Sequence, residues 1–249
     1  MSSLLIVNLG LVPYAEALEF QRAVARARIA GAVAEDVLLL VEHPPVVTLG
    51  RRTRATSVPL GASGLRARGV EVFEVERGGD ATFHGPGQLV GYPVVDLKAH
   101  RRDLHWYLRQ VEGALIEGVA AFGVAAGRNP PHTGVWTAAG GAPPAKLASI
   151  GVHARDWVTW HGFALNVTPE PLGYFDLIVP CGIEGVRMTA VAREAPAARA
   201  ADVSVAAAGE AVAAAFGRAF ARAPVPEAAD ALRARLPASD APAALSSGR

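Results

Sequence analysis

The stretch Lys146-Leu-Ala-Ser-Ile-Gly-Val-His-Ala-Arg-Asp-Trp-Val-Thr-Trp-His161-Gly-Phe-Ala-Leu-Asn-Val167 holds two apolar runs, residues 147–152 and 163–167, separated by a polar turn around 154–159. Strands so closely joined lie antiparallel, because a parallel return needs a crossover of a dozen or more residues. Residues 37–41 and 46–49 repeat the theme, two Val- and Leu-rich runs around a tight bend at Pro44 and Pro45. Strands set this close exclude a purely parallel, doubly wound sheet. They predict an α+β fold: a mixed, largely antiparallel sheet packed with helices.

Working outward, residues 4–8 read as a first strand and 14–30 as a helix, with Leu18, Ala25 and Ile29 on one face and Gly31 as its stop. Residues 51–63 are polar, carry Arg51, Arg52 and Arg54, and read as an exposed loop. A strand at 70–75 runs into a Gly-rich segment at 77–88, and another strand follows at 89–97. Asp103 is placed to cap a helix whose apolar face is Leu104, Leu108, Val111, Leu115, Val119 and Phe122, ended by Gly123. A last helix spans 203–220, anchored by Val205, Val212, Phe216 and Phe220. From residue 223 the chain turns to Ala, Pro and Ser. It therefore divides into a domain at 1–222 and a mobile tail at 223–249, the tail carrying one weak helix at 227–235.

The 24 Lys plus Arg against 23 Asp plus Glu leave a charge of +1, too little basic excess for a dedicated nucleic-acid binder. With 51% hydrophobic residues the chain has the means to fold around a core. No apolar run approaches the roughly 20 residues that span a bilayer. The first apolar stretch, residues 4–12, lacks a basic flank and holds Asn8, so it reads as a strand and not as a signal peptide. One cysteine builds neither an internal disulfide nor a thiolate metal site. A soluble protein of the reducing cytoplasm is expected, with no membrane span and no nucleic-acid partner.

Four segments are too polar or too Gly-rich for ordinary core: Arg77-Gly-Gly-Asp-Ala-Thr-Phe-His84-Gly-Pro-Gly-Gln88, Lys146-Leu-Ala-Ser-Ile-Gly151, His161-Gly-Phe-Ala-Leu-Asn166 and Val179-Pro-Cys181-Gly-Ile183. The first has four glycines but neither the Gly-Lys-Ser/Thr of a phosphate loop nor a dinucleotide fingerprint. Cys181, between Pro180 and Gly182, sits on a turn. An isolated thiol is only a few per cent thiolate at pH 7, so a nucleophilic role needs an activator. His84, His153, His161 and Lys146 are the candidates; burial of Lys146 at the head of an apolar run would depress its pKa. Backbone N–H groups near Gly182, or in the strand after Lys146, are candidates to hold an oxyanion. His84 and His161 have no carboxylate or second histidine three or four residues on, and His100 with His105 lies on a solvated Arg-rich stretch, so no metal site is expected. No Gly-x-Ser-x-Gly elbow occurs.

In this order the four segments resemble the lipoyl(octanoyl) transferases, a family related to the biotin and lipoate protein ligases. The likeness runs from the first strand to about Phe220. A local insertion at 140–145 and the tail have no counterpart. The resemblance implies the ligase-like catalytic fold and transfer of an octanoyl group from acyl carrier protein to the acceptor lysine of lipoyl domains, in 2-oxoacid dehydrogenases and in the glycine cleavage H protein. It implies Cys181 as the acyl-thioester nucleophile and Lys146 as the partner lowering its pKa. Arg77, Gly78, Gly79, Asp80, Ala81, Thr82, Phe83 and His84 would line the substrate site, with Ser149, Ile150 and Gly151, and with Gly162, Phe163 and Ala164. No cofactor is implied. The rival on the same fold is an ATP-dependent ligase, which would have no use for Cys181; a carrier-binding module without catalysis would need neither Cys181 nor Lys146.

Overall fold

The computed structural model describes residues 2–137, 143–183 and 185–237. Part of the insertion expected at 140–145 lies outside the described residues, as does the tail beyond 237.

An eight-stranded sheet runs, edge to edge, through β11 (Ala223–Pro226), β1 (Ser3–Leu11), β2 (Asp36–Glu42), β6 (Gln88–Val94), β10 (Val158–Asn166), β9 (Lys146–Arg155), β8 (His132–Thr137) and β7 (Ala126–Asn129). Pairing is parallel at β11–β1 and β1–β2 and antiparallel from β2 onward. The sheet is therefore mixed and largely antiparallel. The β9–β10 hairpin turns at Asp156 and Trp157, both at positive φ (51° and 65°) as a tight hairpin requires.

Helices α3 (Leu104–Ala120) and α5 (Val205–Ala219) cover one face, and α1 (Tyr14–Ala30) and α6 (Ala229–Ala234) the other. The central strand β2 shows why its sequence is unbroken hydrocarbon. Leu38 and Leu40 face the α3–α5 layer, while Val37, Leu39 and Val41 face the α1 layer. The Asp103 carboxylate accepts the Trp106 N–H at 3.0 Å and so caps α3. Leu104 is 40% exposed, contrary to the apolar face read from sequence. The buried stripe follows the i+4 row Tyr107, Val111, Leu115 and Val119, which leaves Leu104 at its margin.

A second sheet of three strands, β4 (Glu71–Glu74), β3 (Val46–Leu49) and β5 (Thr82–His84), stands beside the first. The runs at 37–41 and 46–49 do not pair with each other. Pro44 and Pro45 carry the chain out of the large sheet, and β3 pairs with β4 in parallel and with β5 antiparallel. The loop read at 51–63 contains a buried turn at Ser57 and the start of α2 (Gly61–Arg66), whose Leu65 packs under the small sheet. Past Cys181 the chain returns through α4 (Val191–Glu194) to α5.

The tail also departs from its expectation. Ala223 to Pro226 align with Ser3 to Ile6, and Leu232 and Leu236 are buried in the α1 layer. Proline is tolerated there because β11 is an edge strand with one row of backbone groups facing out. Among the described residues no helix is long and apolar enough to cross a membrane.

Candidate active site

Lys146 opens β9. Its N–H donates to Arg187 O (2.8 Å) and its carbonyl accepts the Thr189 N–H (3.0 Å), which fixes the backbone between β8 and the segment after Cys181. Opposite β8, Trp136 aligns with Lys146 but Val135 with Ala148, so β9 carries one extra residue. That bulge brings Lys146 and Ser149, three apart and otherwise on opposite faces, to one side. The Lys146 side chain is 1% exposed. Its stem runs against Gly134, where a Cβ would come within 2.9 Å of Cε. Its ammonium lies 5.2 Å from the Trp136 ring centre and 3.2 Å from Cys181 Sγ. The Ser149 hydroxyl is 3.6 Å from the same sulfur.

Cys181 sits at φ 58°, ψ 17°, a left-handed conformation held by its surroundings. Its N–H donates to Ala81 O at 3.0 Å, the Gly182 N–H to Val179 O at 3.1 Å and the Ile183 N–H to Pro180 O at 3.1 Å. These amides close the turn and are not free for an oxyanion, as the sequence had suggested for the groups near Gly182. Gly182 (φ 66°) also leaves room for Asp80, whose Oδ2 would lie 2.5 Å from a Cβ there. Burial pushes the thiol up. The Lys146 charge, hydrogen bonds from Ser149 and Lys146, and the Arg77 charge outweigh that, so the thiol lies below its ordinary value.

The sulfur opens into a cavity of about 500 Å³ between the two sheets. Arg77 is buried in its wall with no carboxylate bound among the described residues. Its guanidinium donates to Thr48 O (2.6 Å), Thr48 Oγ1 (2.8 Å), Asp80 O (2.8 Å) and Gly78 O (3.1 Å). Burial holds its pKa below the ordinary value, opposed by Tyr14, Cys181 and Asp80. Deeper in, His84 Nδ1 donates to Gln88 Oε1 (2.8 Å), Gln88 Nε2 to Asn166 Oδ1 (2.8 Å) and Asn166 Nδ2 to Thr189 O (3.0 Å). This chain ties the inner wall to the strand that holds Lys146. The His84 ring stacks on Tyr14 at 6.1 Å, and the inner end is completed by Tyr92, whose hydroxyl donates to His43 Nε2 at 2.7 Å. Burial lowers His43 to about 4; burial and then the adjacent His43 lower His84 to about 3. Both rings are neutral at pH 7, so His84 serves as a fixed hydrogen-bonding group and not as a base.

His161, on the same cavity, has φ 55° and its N–H donates to Gln21 Oε1 at 2.8 Å. Its Nε2 lies 3.5 Å from Glu76, which also accepts from Arg22 (2.9 Å) and Trp160 (2.8 Å). Burial pushes Glu76 up, but these donors hold it far below the usual carboxylate range.

Of the residues singled out from sequence, Arg77, Gly79, Asp80, Thr82, His84, Lys146, Ser149, Ile150, Gly151, Gly162, Phe163, Ala164 and Cys181 border this one cavity. Gly78, Ala81 and Phe83 do not. Ala81 and Phe83 alternate with the cavity residues along β5 and pack with Val47, Leu65 and Phe175 on its other face. Gly78 is spent on a backbone bond to Val152 O at 2.9 Å. Phe163 contributes main chain only, since its ring stacks on Phe216 at 5.6 Å in the helical layer. Sequence reasoning passed over Tyr14, Tyr92, Ser57 and His132, none of which lies in a Gly-rich segment; Arg52 and Arg54, read from sequence as part of an exposed polar loop, also border the cavity. The Thr82 hydroxyl is buried with no partner among the described residues.

The family described as the lipoyl protein ligase A/B catalytic domain matches residues 13–217. Curated relatives named octanoyltransferase include proteins from Gloeobacter violaceus, 50% identical over 74% of this chain and 78% of its own, and from Geobacter sulfurreducens, 49% identical over 85% and 82%. The octanoyltransferase of Myxococcus xanthus is 46% identical over 78% of this chain, which spans 54% of that longer protein. Among solved structures, a bipartite lipoate protein ligase from Thermoplasma acidophilum superposes with a TM-score of 0.72 at 16% identity, covering 93% of this chain and 91% of its own. Lipoate-protein ligase A bound with ATP gives 0.66 at 16% identity over 93% and 92%. At such identities these two bear on the fold alone, whereas the curated relatives and the family match decide kinship: the chain belongs to the lipoyl protein ligase A/B catalytic domain family and, within it, to the octanoyltransferases.

Proposed function

We propose that this octanoyltransferase takes its acyl group from the thioester of acyl carrier protein, holds it as a thioester on Cys181, and delivers it to the acceptor lysine of a lipoyl domain. The observation that carries this reading is the 3.2 Å contact between Lys146 Nζ and Cys181 Sγ, both of which border the cavity. An ammonium in that position stabilises the thiolate and then has a proton to give.

The sulfur attacks the acyl carbonyl, its bond to the carrier sulfur breaks, and the departing thiolate takes the Lys146 proton. Lys146, now an amine, accepts the proton shed by the incoming lysine as that nitrogen attacks the Cys181 thioester. The amide forms, the Cys181 thiolate leaves, and the ion pair is restored. Thioester exchange is close to isoenergetic and amide formation is downhill, so the sequence runs without external energy. The Thr82 hydroxyl, buried without a partner among the described residues and bordering the cavity, is a donor available to the carbonyl oxygen. The acyl chain lies along Gly162, Ala164 and Val90 toward the Tyr14–His84 end. Its methylenes contribute about 5 kcal/mol at ~0.8 kcal/mol each. The acceptors are the lipoyl domains of 2-oxoacid dehydrogenases and the glycine cleavage H protein.

Intact-mass analysis after mixing with octanoyl-loaded carrier protein tests the reading. An octanoyl adduct on the wild-type chain that passes to added lipoyl domain, and is absent in Cys181→Ala, is the expected result. Transfer that survives Cys181→Ala would overturn it.

A further inference from the structure

Arg52 and Arg54 border the Cys181 cavity at its outer rim, both exposed. Neither has a carboxylate within 4.0 Å among the described residues, unlike Arg22 with Glu76, Arg28 with Asp36 and Arg128 with Glu112. The segment that carries them is pinned along its length. Arg51 N–H donates to Arg77 O (3.1 Å), Arg52 N–H to Gly79 O (3.0 Å) and Ser57 N–H to Arg54 O (2.9 Å). At its far end Ser57 O accepts the Val179 N–H (2.9 Å), two residues before the nucleophile, and Ser57 Oγ donates to Asp80 (2.9 Å). Asp80, which borders the same cavity, is engaged through both oxygens, the second accepting the Ala81 N–H at 2.6 Å. Two guanidinium groups on a fixed strap beside a reactive cysteine form a site for a single anion. The alternative basic pair, Arg101 and Arg102, lies past the far end of β6, about 20 Å along the strand from Gln88, and Arg101 is bound to Asp103 at 3.2 Å.

We infer that Arg52 and Arg54 bind the phosphodiester of the 4′-phosphopantetheine arm on which the acyl donor is carried. The inference rests on the donor proposed above. The arm has thirteen bonds between phosphorus and sulfur, about 15 Å when extended, close to four or five residues of chain. From Cys181 through Val179 and Ser57 to Arg54 the backbone path is at most about 20 Å, and both arginines border the same cavity as the sulfur. The arm therefore reaches the rim with its thioester at the sulfur. A phosphodiester oxygen pair also suits the planar fork of a guanidinium.

The test compares three octanoyl thioesters, on carrier protein, on 4′-phosphopantetheine and on pantetheine, by the rate at which each acylates Cys181 in the full chain. The wild type is expected to favour the phosphorylated small donor over the unphosphorylated one about tenfold or more, through KM. Arg52→Gln/Arg54→Gln is expected to lose that preference while reacting with octanoyl-pantetheine at the wild-type rate, which also reports an intact fold. Equal use of the two small donors by the wild type overturns the inference, as does a preference that survives in the variant. A defect confined to the carrier-protein donor overturns it too, because it would set the arginines against that protein's own carboxylates. A wild type that forms no acyl-enzyme with any donor would overturn the donor reading itself, and is told apart by that blank.

Discussion

Replacing Lys146 by methionine removes one charge while filling the same channel. At 3.2 Å an ammonium and a thiolate attract by about 1.3 kcal/mol in bulk water and about 5 kcal/mol at an effective dielectric of ~20. At about 1.36 kcal/mol per tenfold change in acidity, the loss raises the thiol pKa by about one to nearly four. The burial that already pushes the thiol up stays in place, so nothing compensates. Iodoacetamide alkylation followed against pH reads the change directly, and with one cysteine in the chain every adduct reports this site. At pH 7 the rate falls only about threefold for each tenfold loss of thiolate, because a more basic thiolate is also the better nucleophile. Full transfer falls further, since the second step loses its proton acceptor. Stability is expected to change little, because with the ammonium gone the thiol protonates and no unpaired charge is left buried beside the methionine. An alkylation profile that stays within a few tenths of a pH unit of wild type would refute the electrostatic argument. A sharp drop in melting temperature would show that the ammonium holds the fold and not the thiolate.

Thr82→Val keeps the shape of a side chain whose hydroxyl has no protein partner, so melting should be unchanged while acyl transfer falls about 10²-fold, the cost of one oxyanion donor; a rate within threefold of wild type would remove Thr82 from the reaction. His43 and His84 are held at about 4 and 3 when folded against about 6.5 unfolded. Each binds a proton only on unfolding between those values, so the stability they permit is full above pH 6.5 and is lost as pH falls toward 4. The slope expected from the pair is about 2.7 kcal/mol per pH unit. Urea titrations at pH 6.0, 5.2 and 4.5 measure it, and a flat profile would mean the rings are not buried neutral.

Much of the scaffold is legible where one residue type does one job. Tyr14–Ala30 with Gly31 behind it needs only periodicity and a left-handed stop, and Gly31 does sit at φ 78°. The 146–167 hairpin follows from two apolar runs and a short polar turn. Ala126–Asn129 carries no alternation and is held at the sheet edge by pairing with β8 alone, so nothing local announces it as a strand. Pro44 and Pro45 signal a bend but not that the chain changes sheets there. Cys181 and Lys146 were named as partners through the resemblance, and they lie 3.2 Å apart. What makes Lys146 and Ser149 share a side is a bulge, whose register depends on β8, a partner strand that the sequence does not reveal. Tyr14, Tyr92, Arg52 and Arg54 come to the cavity from distant places in the chain, and composition says nothing of such convergence. The C-terminal segment misled because Ala and Pro are poor in burial signal, while Leu232 and Leu236 alone supply its anchor.

That segment has a practical side. The outer backbone row of β1 is satisfied only because Ala223–Pro226 lies along it. Cutting the protein after residue 222, where a change in composition invites a boundary, would bare the outer rung of a hydrophobic ladder, Leu5 and Val7 included, and offer neighbouring molecules a template for stacking. Shortened or fused versions should keep the polypeptide through Leu236, with any affinity handle placed beyond it.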